Sequence, residues 1–155
     1  MTGVINVLQD ELNAGFPHLG GTRLSGCVPI TERLLNRFTQ KAILEILPDN
    51  QVVVKYGVVN ARATISRVVA LDPSPTLEIR LANVFMALAL RAFWNLQFSH
   101  LTFVSFSGTR MLVDLAAIPQ VAQWRHLWRY VDSMDIRSDS GKLDVCFQIS
   151  IKESN

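Results

Sequence analysis

Hydrophobic positions along this chain recur with two periods, and the switches between them mark the expected elements. Val4, Ile5, Leu8 and Leu12 fall at helical spacing around Asp10 and Glu11, which predicts a short amphipathic helix ending near Gly15 and Pro17. Gly20-Gly21 makes a turn, and residues 23–28 read as a strand. Thr31 is placed to cap a helix, with Glu32 in its first turn. Leu34, Leu35, Phe38, Ala42 and Ile46 then mark one face, so the helix is expected to run to about residue 47, where Pro48-Asp49-Asn50 stops it. Alternation follows: Val52, Val54, Tyr56 and Val58 against Val53, Lys55 and Gly57, then strands over 61–69 and 76–81, separated by the turn Asp72-Pro73-Ser74-Pro75.

Asn83 is expected to cap a second helix over 83–95 that is apolar nearly all round, a pattern that predicts burial on most sides. Two strands follow over 98–106 and 109–115. A third helix is expected next, with Pro119 in its first turn. Its stripe is Val121, Trp124, Trp128 and Val131, supported by Leu127 and Met134. The last strand, over 142–152, points Leu143, Val145, Phe147, Ile149 and Ile151 one way and Asp144, Cys146, Gln148 and Ser150 the other; Ser138-Asp139-Ser140-Gly141 turns into it. Strands in runs, broken by single helices, favour an α+β fold with a mainly antiparallel sheet packed against two or three helices. Without linkers or low-complexity tracts, residues 1–155 read as one domain: an N-terminal helix and turn over 1–20 and a core over 21–155. Gly-Thr-Arg opens strands at both Gly21 and Gly108, a coincidence expected at this length.

Composition adds a surplus of apolar side chains. The chain has 155 residues, of which 49% are hydrophobic and only 18% charged, against about 25% charged in typical domains. Such a surplus needs a generous core, a ligand cavity or a surface covered by a partner. The net charge of +2, from 15 basic and 13 acidic residues, lacks the dense basic patch of a nucleic-acid binder. No signal peptide or spanning segment is visible, so the chain reads as soluble, cytoplasmic or membrane-peripheral. Cys27 and Cys146 belong to no C-x-x-C pair and read as two buried free thiols, with one bridge as the alternative.

Enzyme signatures are missing: there is no G-x-S-x-G elbow, Walker loop or dinucleotide fingerprint, and no catalytic residue is assigned. His18, His100 and His126 lack metal-ligand spacing, so no metal or cofactor is expected. Asp132 is expected to pair with Arg129 on a helix surface, and Asp114 to cap the turn into the third helix; Asp135 follows that helix. The run Trp124-Arg125-His126-Leu127-Trp128-Arg129-Tyr130 interleaves aromatic and basic side chains. Its tryptophans fall on the core stripe, while Arg125 and Arg129 sit beside it and could meet a partner or lipid head groups. Arg33, Arg37 and Lys41 recur every four residues as a basic ridge open to the same contacts.

Leu24-Ser25-Gly26-Cys27-Val28-Pro29-Ile30-Thr31 leads into Leu34-Leu35-Asn36, and Gly108-Thr109-Arg110-Met111-Leu112-Val113-Asp114-Leu115 runs towards another helix. These segments resemble the opening and closing parts of bacterial tubular lipid-binding (TULIP-like) domains. The resemblance implies a curved antiparallel sheet around a long helix, with lipids or other apolar molecules held in the groove. The resulting expectation is a non-enzymatic binding module. Its groove, between sheet and second helix, would be lined by Phe85, Leu88, Phe93, Trp94, Phe103 and Phe147. Arg91 or the Arg33/Arg37/Lys41 ridge would guide polar ends. The alternative is an interaction subunit, self-associating or accessory to a larger and membrane-associated assembly.

Overall fold

The protein is described here by a computed structural model covering residues 20–37, 42–98, 102–119 and 121–152, with Asp10 and Ala14. The helix expected around Val4 to Leu12 lies outside the described residues. In chain order the elements are β1 (Arg23–Thr31), α1 (Glu32–Asn36), β2 (Ile43–Leu47), β3 (Gln51–Tyr56), β4 (Val59–Ile65), β5 (Thr76–Leu81), α2 (Val84–Phe98), β6 (Val104–Ser107) and β7 (Arg110–Asp114). A short 3₁₀ turn, Leu115–Ala117, and a 3₁₀ helix, Ala122–Tyr130, precede β8 (Val131–Asp139) and β9 (Lys142–Ser150). The strands form two sheets, one ordered β1-β9-β8 and the other β2-β3-β4-β5-β7-β6, and every neighbouring pair is antiparallel. The α+β, antiparallel character read from the sequence therefore holds.

The two sheets share a core. Ile46, Val52 and Ile65 of the larger sheet cluster with Val69 and with Ile136 and Leu143 of the smaller one; Ile46 is 1% exposed. Backbone bonds sew the sheets together where β4 ends: Ile136 N–H donates to Arg67 O (2.7 Å) and Val69 N–H to Met134 O (3.0 Å). Asn50 reinforces this seam. It lies in a tight β2–β3 turn in which Asp49 (φ 59°) and Asn50 (φ 58°) both take the left-handed conformation of a type I′ turn. From there its amide donates to Ile136 O (2.7 Å) and Ile65 O (3.2 Å), and its Oδ1 accepts Ser138 N–H (2.8 Å).

The first helix is far shorter than expected. Thr31 caps it, its hydroxyl accepting Leu34 N–H at 3.2 Å, but α1 ends at Asn36 and residues 43–47 form β2. Ala42 and Ile46 were read as helical neighbours, yet a spacing of four also fits a period of two, and pairing with β3 decides between them. Asn36 and Glu32 instead protect the outer edge of β2. Asn36 bonds both backbone groups of Leu44 (2.7 and 2.9 Å), and the Glu32 carboxylate accepts Ile46 N–H at 2.9 Å. An edge whose N–H groups are taken cannot recruit another strand. Of the ridge Arg33/Arg37/Lys41, Arg33 is exposed on α1 and Arg37 just after it, and Lys41 lies outside the described residues.

Three more readings change. The α2 helix is capped by Asn83 as expected, Met86 N–H donating to its Oδ1 at 2.8 Å, but it is not enclosed. Ala87 packs with Ala63 and Leu81, while Val84, Phe85 and Leu88 face outward, Phe85 at 80% and Leu88 at 59% exposure. A uniformly apolar helix carries no signal for which side is covered. The third helix is 3₁₀ and stops at Tyr130, so Val131 and Met134 belong to β8. The cysteines are neither free nor buried. Cys27 and Cys146 face each other in the β1–β9 register, their Cα atoms 4.0 Å apart, and are joined as a disulfide on the polar face of the small sheet.

Candidate functional site

The β1-β9-β8 sheet has one apolar face, and cross-strand register assembles it. On β9, Leu143, Val145, Phe147 and Ile149 alternate with polar residues; opposite them stand Ile30, Val28, Gly26 and Leu24 of β1. On β8 the facing residues are Ile136 opposite Val145, Met134 opposite Phe147 and Val131 opposite Ile149. One end of this face, at Ile136 and Leu143, is sealed in the shared core. The other end is open: Leu24 is 53% and Val28 51% exposed on the edge strand β1.

Gly26 sits between those two residues, and the Phe147 ring lies across it. A Cβ at Gly26 would stand 3.3 Å from Phe147 Cζ. The missing side chain lets the tip of the ring reach the edge strand, and the ring forms a floor. The 3₁₀ helix supplies the wall. Three residues per turn place Val121, Trp124 and Leu127 in line, with Trp128 beside them. Together with Val131, Met134, Phe147 and Ile149 they line an open groove of about 270 Å³, and every lining residue is apolar. Arg125, His126 and Arg129 stand exposed on the same helix. Arg129 is turned onto its neighbour: it donates to Tyr130 Oη at 2.7 Å, and its guanidinium carbon lies 4.8 Å from the Tyr130 ring centre.

The residues expected to line a groove are divided by the structure. Phe147 alone is among the lining residues of this one. Phe85, Leu88 and Arg91 are exposed on α2. Trp94 is half-buried, its ring edge-on to Phe106 with centres 6.5 Å apart, and Phe103 is half-buried before β6. The Phe93 side chain lies outside what is described. The missed residues are Val121, Trp124, Leu127, Trp128, Val131, Met134 and Ile149; all are visible as hydrophobic stripes, which carry no sign that one side stays open.

The carboxylates do not converge. Asp114 caps the following 3₁₀ turn, accepting Ala116 N–H (3.1 Å) and the Ser74 hydroxyl (2.8 Å). Asp132 sits at a bulge in β8 and accepts a hydrogen bond from the Ser150 hydroxyl, rather than pairing with Arg129 on a helix. Asp135 faces Arg137 at 4.0 Å. Among the described residues no group of His, Cys, Asp and Glu is placed to hold a metal ion, and no helix is long and apolar enough to cross a membrane. Comparison with family models, with curated proteins and with solved structures finds no match for this chain.

Proposed function

We propose that the protein is a non-enzymatic binding module that seats a lipid or another apolar molecule in the groove between the 3₁₀ helix Ala122–Tyr130 and the β1-β9-β8 sheet. The observation that carries this reading is an open groove with an entirely apolar lining, two tryptophans among it, on a sheet face that continues outward through Leu24 and Val28. Water against such a surface is displaced at a gain of about 0.8 kcal/mol per ligand methylene buried. Arg125, exposed beside Trp124 on the same helix, is available to a polar or anionic end of the ligand. The TULIP-like likeness of the segments now seen as β1 and β7 belongs to the same proposal, as does a sheet curved around its ligand.

Organic extraction of the purified protein, followed by mass spectrometry, is expected to release a stoichiometric apolar molecule. Failing that, a long-chain fatty acid is expected to saturate the tryptophan emission of ligand-free protein. Protein that carries nothing and whose emission a fatty acid leaves unchanged contradicts the proposal. A second reading, an interaction subunit, is favoured by the exposed row Val84, Phe85 and Leu88 on α2. Light scattering across a concentration series tests it: growth in mass that the variant Phe85→Ser abolishes supports self-association there, and a constant monomer mass counts against it.

A further inference from the structure

The seam between the two sheets holds a second cleft, of different chemistry. It encloses about 570 Å³ and is lined by Asp49, Asn50, Thr64, Ile65, Ser66, Arg67, Arg80, Arg137 and Ser138. Its three arginines come from three separate segments: the stretch after β4, strand β5 and strand β8. We propose that this cleft is a binding site for a phosphate group, with Arg67, Arg80 and Arg137 as its ligand-contacting residues.

The three arginines are placed differently, and among the described residues each guanidinium has donors that no protein group takes. Arg67 is fixed through its backbone, whose carbonyl accepts Ile136 N–H at 2.7 Å; among the described residues no carboxylate lies within ion-pair distance of its side chain. Arg80 is oriented by Glu78, which takes its Nε–H at 2.6 Å and leaves the terminal nitrogens unspent. Arg137 has a contact of 4.0 Å to Asp135, too long for a hydrogen bond. An Arg fork matches the paired oxygens of a phosphate, and three arginines lining one cleft from separate segments suit a tetrahedral anion better than a planar carboxylate.

Hydrogen bonds within the seam tie the cleft walls together. Asn50 and Ser138, both in the lining, spend their polar groups on the seam: Asn50 N–H donates to Ser138 Oγ (2.6 Å), and the Ser138 hydroxyl donates to Leu47 O (2.5 Å). Ser66 donates to Val68 O at 3.3 Å. Thr64 is the remaining hydroxyl residue in the lining. Asp49 is the one carboxylate in the lining. It disfavours a crowded polyanion and suits a single phosphate, whether free in solution or as the head group of a lipid.

The test uses the whole 155-residue chain, inorganic phosphate and vesicles. Titration calorimetry at constant ionic strength is expected to show saturable phosphate binding that Arg67→Gln and Arg137→Gln each weaken about tenfold, the cost of a lost charged hydrogen bond. Arg23→Gln, paired at the far end of β9 from Arg137, should leave it unchanged. Arg67→Lys keeps the charge without the fork and is expected to fall between, so the proposal stays testable should the Gln variant fold poorly. Vesicles of phosphatidylcholine with and without phosphatidic acid form the second arm. Binding of phosphate itself identifies a free phosphate ligand. Binding only to phosphatidic acid vesicles, lost in Arg67→Gln, identifies a lipid head group. Wild-type protein that binds neither, or binds either one as well after Arg67→Gln and Arg137→Gln, overturns the site.

Discussion

Replacing Gly26 by alanine separates stability from ligand binding, because the structure gives the two effects different magnitudes. Gly26 has no positive φ, so alanine can adopt its backbone conformation. Loss of glycine's freedom in the unfolded chain then stabilises by about 0.4–1 kcal/mol. Against this, the new Cβ meets Phe147 Cζ at 3.3 Å, with two further ring carbons at 3.8 and 3.9 Å. The contact is relieved by a shift of a few tenths of an ångström. In a closed core such overpacking costs about 1–3 kcal/mol. Here the ring borders an open groove and can tilt into it. The two terms then nearly cancel, and urea denaturation should place G26A within about 1 kcal/mol of wild type. The tilted ring takes its space from the groove, so a fatty acid should lose contact with one or two methylenes. At about 0.8 kcal/mol each, affinity falls roughly four- to fifteenfold. Destabilisation above about 3 kcal/mol would show a sealed ring and no groove. Unchanged affinity would show that the ligand sits elsewhere.

Other expected outcomes follow from single contacts. Replacing both Cys27 and Cys146 by alanine opens a loop of 119 residues and should lower unfolding free energy by about 2–4 kcal/mol, read in urea against wild type with and without reductant. Asn50→Gly keeps the left-handed turn but cuts the seam, whereas Asn50→Ala loses both, so N50A should unfold about 1 kcal/mol more easily than N50G. Asn36→Ala strands both backbone groups of Leu44 and should cost about 1–3 kcal/mol, with faster aggregation through the bared β2 edge measured by light scattering.

Much of the fold is legible in the sequence where alternation is strict. β5 and β9 fall where Leu77/Ile79/Leu81 and Leu143 to Ile149 place them, and Thr31, Asn83 and Asp114 cap the turns assigned to them. What fails depends on distant partners. Residues 43–47 are a strand because Gln51 to Lys55 pair with them and because Asn36 and Glu32 cover the other edge. Trp124 and Trp128 face a groove instead of a sealed core because only the three turns of a 3₁₀ helix and strands β8 and β9 meet there. The arginine cleft is invisible in the sequence, since Arg67, Arg80 and Arg137 share no spacing and meet only when β8 joins the end of β4.

The groove is tested most directly by where a ligand touches. A fatty acid carrying a nitroxide at mid-chain, added to protein with isotope-labelled methionine and tryptophan, broadens nuclear resonances within reach of the spin. Broadening is expected at the Met134 methyl and the Trp124 and Trp128 indoles, with Met86 at the start of α2 left sharp. Broadening at Met86 while Met134 stays sharp, or none at all at saturating ligand, would contradict a ligand site on the β1-β9-β8 sheet.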